Sequence, residues 1–361
     1  MRLQSVDKSQ SRFISWVLVI VVFLMLASYL LTILLGPSLF FFTPAGLAFS
    51  KALVQPPVFI LFFFGFIVPF KLNAGQFFML LWSIFVLCFV VAWRLRKSFH
   101  EVVGKTFSQP LSKIFDNWLF VMPVIAGALL VGVILLIGLQ DLFKVPTGAL
   151  PTPQTDIEVF DLYLSISYAP LIEEIGFRIT PIGAFLLVYL LLIKTFHNRV
   201  TLSSWQRFKL FVFSFLYPDG AKSIVGEKTV AVNGFNGISR GEWIIILATS
   251  ILFGVAHILT GIGWEIGKVT STFIQGFVFA IVYVAYGFQA PILMHWFFNY
   301  YFYTYEVSAQ YYANTFDMFA WIEFITLILG VLSLIGFAIL GLRKISNRRR
   351  AVPQEPNAFP L

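Results

Sequence analysis

Glu173 and Glu174 stand side by side in the apolar run 169–178, APLIEEIGFR, with Arg178 four residues after the second of them. An ionised carboxylate inside a bilayer is costly, so such residues mark function and find partners. On a helix, residues four apart share a face, whereas sequence neighbours point about 100° apart. Glu174 and Arg178 are therefore placed to pair along one side. Glu173 is turned away from that pair and is free to face a cavity. A buried structural network accounts for Glu174 and Arg178 as well as a functional one does. It does not account for Glu173, which has no neutralising neighbour on its own helix.

Two of the four histidines fall in later apolar runs, each with a helical partner four residues away. His257 follows Phe253 in SILFGVAH, and His295 precedes Asn299 in PILMHWFFN. A single intramembrane histidine is adequately explained as a helix-to-helix hydrogen bond; three such polar pairs on three segments are not. His100 and His197 lie in basic flanking stretches and read as solvated. A carboxylate kept from bulk water is a competent base near neutrality. Glu173 with His257 can deprotonate a water that attacks a carbonyl, while His295 and the Asn299 amide donate hydrogen bonds to the developing oxyanion. No serine or cysteine completes a nucleophilic triad within these motifs. Glu173, His257 and His295 equally match the three-ligand set of a catalytic zinc, with Glu174 as base. The usual His-Glu-x-x-His signature is absent. A proton relay in a coupled transporter is a third use of buried carboxylates; the lack of an internal repeat counts against it.

These groups need a scaffold, and composition defines it. Hydrophobic residues make up 59% of the 361-residue chain and charged ones 12%, against about 25% charged in a soluble domain. A soluble chain cannot bury such an excess. The fold class is therefore all-α, a polytopic membrane helical bundle of about eight transmembrane helices, each needing ~20 apolar residues. The spans run approximately 13–35, ended by Gly36-Pro37, then 75–93, 118–139, 160–193, 243–259, 269–286, 291–303 and 318–340. The first run is too long for a secretory signal peptide and lacks its cleavage site. Residues 39–70 are apolar but broken by Pro44, Pro56, Pro57 and Pro69, and read as a re-entrant or interfacial segment. Residues 201–216 carry Leu202, Trp205, Phe208 and Phe211 on one face, as a helix lying on the membrane does. Residues 217–241 read as a cytoplasmic loop, and 351–361 as a disordered tail.

The +8 net charge sits mostly at segment ends. Arg94, Arg96, Lys97, Lys105 and Lys113 follow the second span, and Arg343 to Arg350 follow the eighth, whereas the 140–159 and 304–317 loops are nearly free of lysine and arginine. The positive-inside rule then places both termini in the cytoplasm of a multi-pass protein, expected in the cell membrane. The same distribution argues against nucleic-acid binding. Cys88 is the single cysteine, which excludes an intrachain disulfide and thiolate metal sites.

Glu173-Glu174-x-x-x-Arg178, Phe253-x-x-x-His257 and His295-x-x-x-Asn299, in that order on separate membrane segments, resemble the CAAX protease and bacteriocin-processing family of intramembrane endopeptidases. The resemblance covers roughly residues 160–303; Phe177, Ser250, Gly254 and Pro291 also follow the family pattern. It implies an endopeptidase acting on a lipidated or membrane-associated peptide, with membrane lipids as its other partner. By that resemblance Glu173 is the general base with His257, His295 and Asn299 form the oxyanion hole, and Glu174, Arg178 and Phe253 support the site. No cofactor is favoured, and a divalent metal such as zinc would sit on Glu173, His257 and His295. A non-catalytic member, acting as an immunity or partner-binding membrane protein, would share these residues. The expected organisation is an N-terminal region over 1–150, a catalytic core over 151–305 including a cytoplasmic loop near 195–242, and a last helix with a basic tail over 306–361. Two features depart from the family: Ile179 replaces the glycine that commonly follows the arginine, and the 195–242 insertion is long.

Overall fold

The computed structural model describes residues 8–106, 115–192, 201–261, 263–313 and 315–350. The predicted tail at 351–361 and His197 lie outside them. The chain forms an all-α polytopic bundle, with seven helices among the described residues long and apolar enough to cross a membrane. In order these are α1 (Lys8–Phe42), α3 (Ala74–Arg94), α5 (Trp118–Leu142), the continuous helix α6–α7 (Asp156–Glu174 and Thr180–Val188, joined by a π-turn at Ile175–Ile179), α11 (Arg240–Leu259), α12 (Ile266–Tyr286) and α15 (Thr315–Arg350). The expected stop at Gly36-Pro37 does not end α1, which carries Pro37 inside it; burial of Leu39 and Phe40 in the core holds the last turns helical past the missing N–H.

The seventh expected span, 291–303, is helical and enclosed by the bundle, and is not one of those seven. It comprises α13 (Gln289–Trp296), a second π-turn (Phe297–Tyr301) and α14 (Phe302–Tyr311). Every residue of α13 is buried. Its entry is also internal: the Phe288 N–H donates to the Leu216 carbonyl at 3.0 Å, under the end of α8 (Ser204–Leu216). Around it, interhelical hydrogen bonds hold the aromatic-rich core. Ser28 and Tyr301 share one at 2.7 Å, Tyr163 and Thr304 another at 2.7 Å, and Tyr305 donates to the Ser28 carbonyl at 2.9 Å. Such bonds suit a bilayer, where apolar burial alone gives helices little reason to associate.

Residues 39–42 complete α1, and 43–70 form no helix long enough to cross. After α2 (Pro44–Phe49), β1 (Leu53–Val54) pairs antiparallel with β4 (Leu72–Asn73), and β2 (Pro57–Leu61) with β3 (Phe64–Ile67). Pro44 opens α2 and Pro57 opens β2, first positions at which a missing N–H is tolerated. α8 does present Trp205, Phe208 and Phe211 outward, as expected of a membrane-surface helix, whereas Leu202 is buried.

The stretch 217–241 is more ordered than its polar composition indicates. It forms α9 (Pro218–Ile224), α10 (Val230–Asn233) and a 3-10 turn (Gly234–Gly237), wrapped around a buried ion cluster. Lys222 donates to Glu242 at 2.9 Å and to the Gly237 carbonyl at 2.9 Å, with Asp219 at 3.7 Å. Asp219 accepts the Val230 and Ala231 N–H groups at 2.6 and 2.8 Å. The other Glu242 oxygen accepts the Ser239 N–H and completes the capping box that starts α11. Together with a short α4 (Phe99–Lys105) on the α3–α5 connection, this completes the described fold. Lys222→Met strands two buried carboxylates and is expected to cost about 3–5 kcal/mol. Adding Glu242→Gln should cost less than the sum of the single changes, as read from unfolding in detergent micelles.

Candidate functional site

The site begins with a break in helix geometry that the sequence explains. At the π-turn the Thr180 N–H bonds to the Ile175 carbonyl, five residues back. Pro181 has no N–H to offer the next carbonyl, that of Gly176. That orphaned oxygen accepts instead from the Phe62 N–H, at the tip of the β2–β3 hairpin, at 2.9 Å. The hairpin tip is thereby fixed beside the motif, with the Phe62 ring 5.7 Å from that of Phe177. π-turns occur disproportionately at functional sites, and here one lies immediately after Glu174.

Glu174 and Arg178 are both fully buried and pair at 3.0 Å, as the four-residue spacing predicts. The same Glu174 oxygen receives the Nδ1–H of His295 from α13 at 2.8 Å. A carboxylate can only accept, so His295 carries a proton on Nδ1 and its Nε2 is the nitrogen turned toward the site. That Nε2 meets the Asn299 amide at 3.2 Å and lies 3.7 Å from Glu173 Oε2. Glu173 itself is about a third exposed, yet its Oε2 is buried with no hydrogen-bond partner among the described residues. The two glutamates have separated as their helical angles require: one is enclosed in a pair of charge-assisted bonds, and the other faces open space.

His257, on α11, is oriented by its own helix. A backbone carbonyl can only accept, so the contact of its Nδ1 with the Phe253 oxygen at 2.8 Å places the proton on Nδ1 and leaves Nε2 a free acceptor. Glu173 acts on this ring electrostatically. Phe253 is the spacer of the site. Its ring meets both imidazoles edge-on, at 4.8 Å for His257 and 6.0 Å for His295, and the Arg178 guanidinium lies over its face at 3.9 Å. A cation over an aromatic face is stabilised where water is excluded. All seven residues singled out by spacing thus come together where α6, α11, α12 and α13 meet.

Spacing did not show three contributors. Phe279 of α12 packs against His295, ring centroids 5.4 Å apart. Gly276, one turn earlier, is the floor on which Arg178 lies: a Cβ there would stand 2.6 Å from Nη2 and 2.9 Å from the Phe253 ring. Phe62 comes from a region with no motif. In an apolar helix a glycine and a phenylalanine carry no distinguishing signal. Among the described residues no group of three or more His, Cys, Asp or Glu side chains is arranged to hold a metal ion.

Residues 155–301 match the family described as Rce1-like, type II CAAX prenyl endopeptidase, a match that runs from the N-cap of α6 to the end of the second π-turn. No curated protein and no solved structure matches the chain. The family assignment and the motif resemblance coincide on the same helices.

Gly276→Ala is expected to lower thermal stability in detergent by about 1–3 kcal/mol, the cost of overpacking. Gly336→Ala, where an added Cβ meets nothing within 4 Å, should stay within roughly 0.5 kcal/mol of the parent.

Proposed function

The chain carries, over residues 155–301, a domain of the Rce1-like family of type II CAAX prenyl endopeptidases, and on that premise we propose that it is an intramembrane endopeptidase cutting a lipidated or membrane-associated peptide near its C-terminus by glutamate-activated water. The observation that carries the mechanism is the contrast between the glutamates: Glu174 is neutralised by Arg178 and bound to His295, whereas Glu173 Oε2 is buried and unpartnered. In this proposal a water lies between Glu173 and the free Nε2 of His257. Glu173 accepts its proton as the oxygen attacks the scissile carbonyl. The oxyanion that forms is met by the Asn299 amide N–H and by His295 Nε2 in its protonated state. Glu173 then delivers the proton to the leaving nitrogen as the C–N bond breaks, giving a new carboxyl and a free amine. Glu174, Arg178 and Phe253 are positioning residues that never touch the peptide. No step is assigned to a metal.

The surrounding chain takes supporting roles. Residues 1–150, with the hairpin at 57–67, wall the site from the N-terminal side; 151–305 is the catalytic core; 306–361 adds the last helix and a basic tail. Charge distribution supports both termini on the cytoplasmic side.

Glu173→Gln keeps size and polarity but removes the base. It is expected to abolish cleavage of a farnesylated reporter peptide while leaving the unfolding midpoint within a few degrees of the parent. Chelation of divalent metals should leave the parent rate unchanged. Equal cleavage by parent and Glu173→Gln would overturn the assignment of the base, and a rate abolished by chelator and restored by zinc would overturn the metal-free step.

A further inference from the structure

One cation near the site has no role in the mechanism above. Lys268 lies in the first turn of α12, half-buried, with its ammonium 3.7 Å from the centre of the Trp264 ring. Among the described residues it forms no ion pair with a carboxylate, and Glu265, three residues earlier, is exposed. Glu173 nonetheless acts electrostatically on Lys268, and Lys268 on His257.

Helix register places it. α11 and α12 run antiparallel, and Gly254 lies against Val269 and Phe273 of α12. Three residues further along α11 therefore corresponds to about three residues back along α12, which puts Lys268 level with His257. The platform under it is fixed. Gly148 and Trp264 form a bridge, the Glu265 N–H donates to Thr147 at 3.1 Å, and the Gly267 N–H donates to Pro146 at 2.8 Å. Gly148 has φ +72° and comes so near the Gly263 carbonyl that a Cβ there would lie 2.2 Å from it. A loop stapled in this way holds an aromatic ring under an ammonium that has no carboxylate of its own.

The charge balance says what the ammonium is for. Arg178 is already committed to Glu174, and the only side chain paired with Glu173 among the described residues is His295, at 3.7 Å. A peptide cut near its C-terminus brings a further negative charge, its terminal carboxylate, which Glu173 repels. Each residue of an extended tail adds roughly 3.3–3.6 Å, so a terminal carboxylate a few residues beyond the scissile bond stays within about the 8–10 Å over which charges act on one another at physiological salt. We propose that Lys268, held on Trp264, binds the free C-terminal carboxylate of the substrate and so measures the distance from that terminus to the cut. This rests on the endopeptidase reading and adds to it a residue that sets specificity.

The test uses two farnesylated, internally quenched peptides of one sequence, ending in a carboxylate or a carboxamide, cleaved by the full-length protein in detergent. The parent should favour the carboxylate by roughly tenfold in kcat/KM, the factor one charge-assisted hydrogen bond carries, mainly through KM. Lys268→Met should bring the ratio toward one, and Lys268→Arg should keep most of it. Each ratio is taken within one preparation, so a change in folded fraction cancels. Should Lys268→Met not fold, the parent alone still decides, since its preference must shrink as salt is raised. A parent ratio near one, a preference insensitive to salt, or a preference unchanged in Lys268→Met overturns the proposal. Failure of the parent to cut either peptide is a different result, and overturns the endopeptidase reading itself.

Discussion

A single carboxylate oxygen organises the centre of this protein. Glu174 Oε1 accepts from Arg178 Nη1 on its own helix and from His295 Nδ1 on α13, and Glu174 and Arg178 are wholly inaccessible to solvent. A buried carboxylate is tolerable only where charge and hydrogen bonds compensate it, so the helices are held in the arrangement that provides them. The same bonds set the terms of the proposed chemistry. They fix a proton on His295 Nδ1 and commit the arginine, and they leave Glu173 Oε2 without a hydrogen bond among the described residues. In that proposal stability and reactivity fall to adjacent residues through a turn of about 100°.

Backbone irregularity contributes as much as side chains do. Pro181 removes one helical donor, the turn widens, and Gly176 is left with a carbonyl that the hairpin tip fills. Asn299 lies on the second π-turn. In each case a departure from α geometry sits beside a residue that meets the substrate in the proposed mechanism. The hairpin follows from this. An apolar ribbon with its backbone groups only partly paired is costly in lipid, and docking Phe62 on Gly176 removes part of that cost and closes one wall of the site.

The clustering of the candidate site was more legible in the sequence than the architecture around it. Glu173, Glu174, Arg178, Phe253, His257, His295 and Asn299 were legible because polar residues in apolar helices are conspicuous and a four-residue spacing has one geometric meaning. Helical class and membrane character were legible from composition. The hairpin was not, since prolines in an apolar run exclude a helix without specifying its replacement. The ordered core of 217–241 was hidden because Lys222 and Asp219 read as solvated until Glu242, twenty residues downstream of Lys222, is seen to meet the lysine. Residues 291–303 were legible as a helix, but hydropathy does not distinguish one enclosed by protein from one facing lipid. Gly276 and Lys268 matter only through what lies opposite them.

The central claim is that Glu174 and His295 are coupled across α6 and α13, and a double-mutant cycle measures this directly. Glu174→Gln, His295→Gln and the double variant would be unfolded in detergent beside the parent. Shared bonding predicts a coupling energy of about 1–3 kcal/mol, with the double variant less destabilised than the two single changes added. Additivity within roughly 0.5 kcal/mol would show that the two side chains do not depend on each other, and would contradict the account.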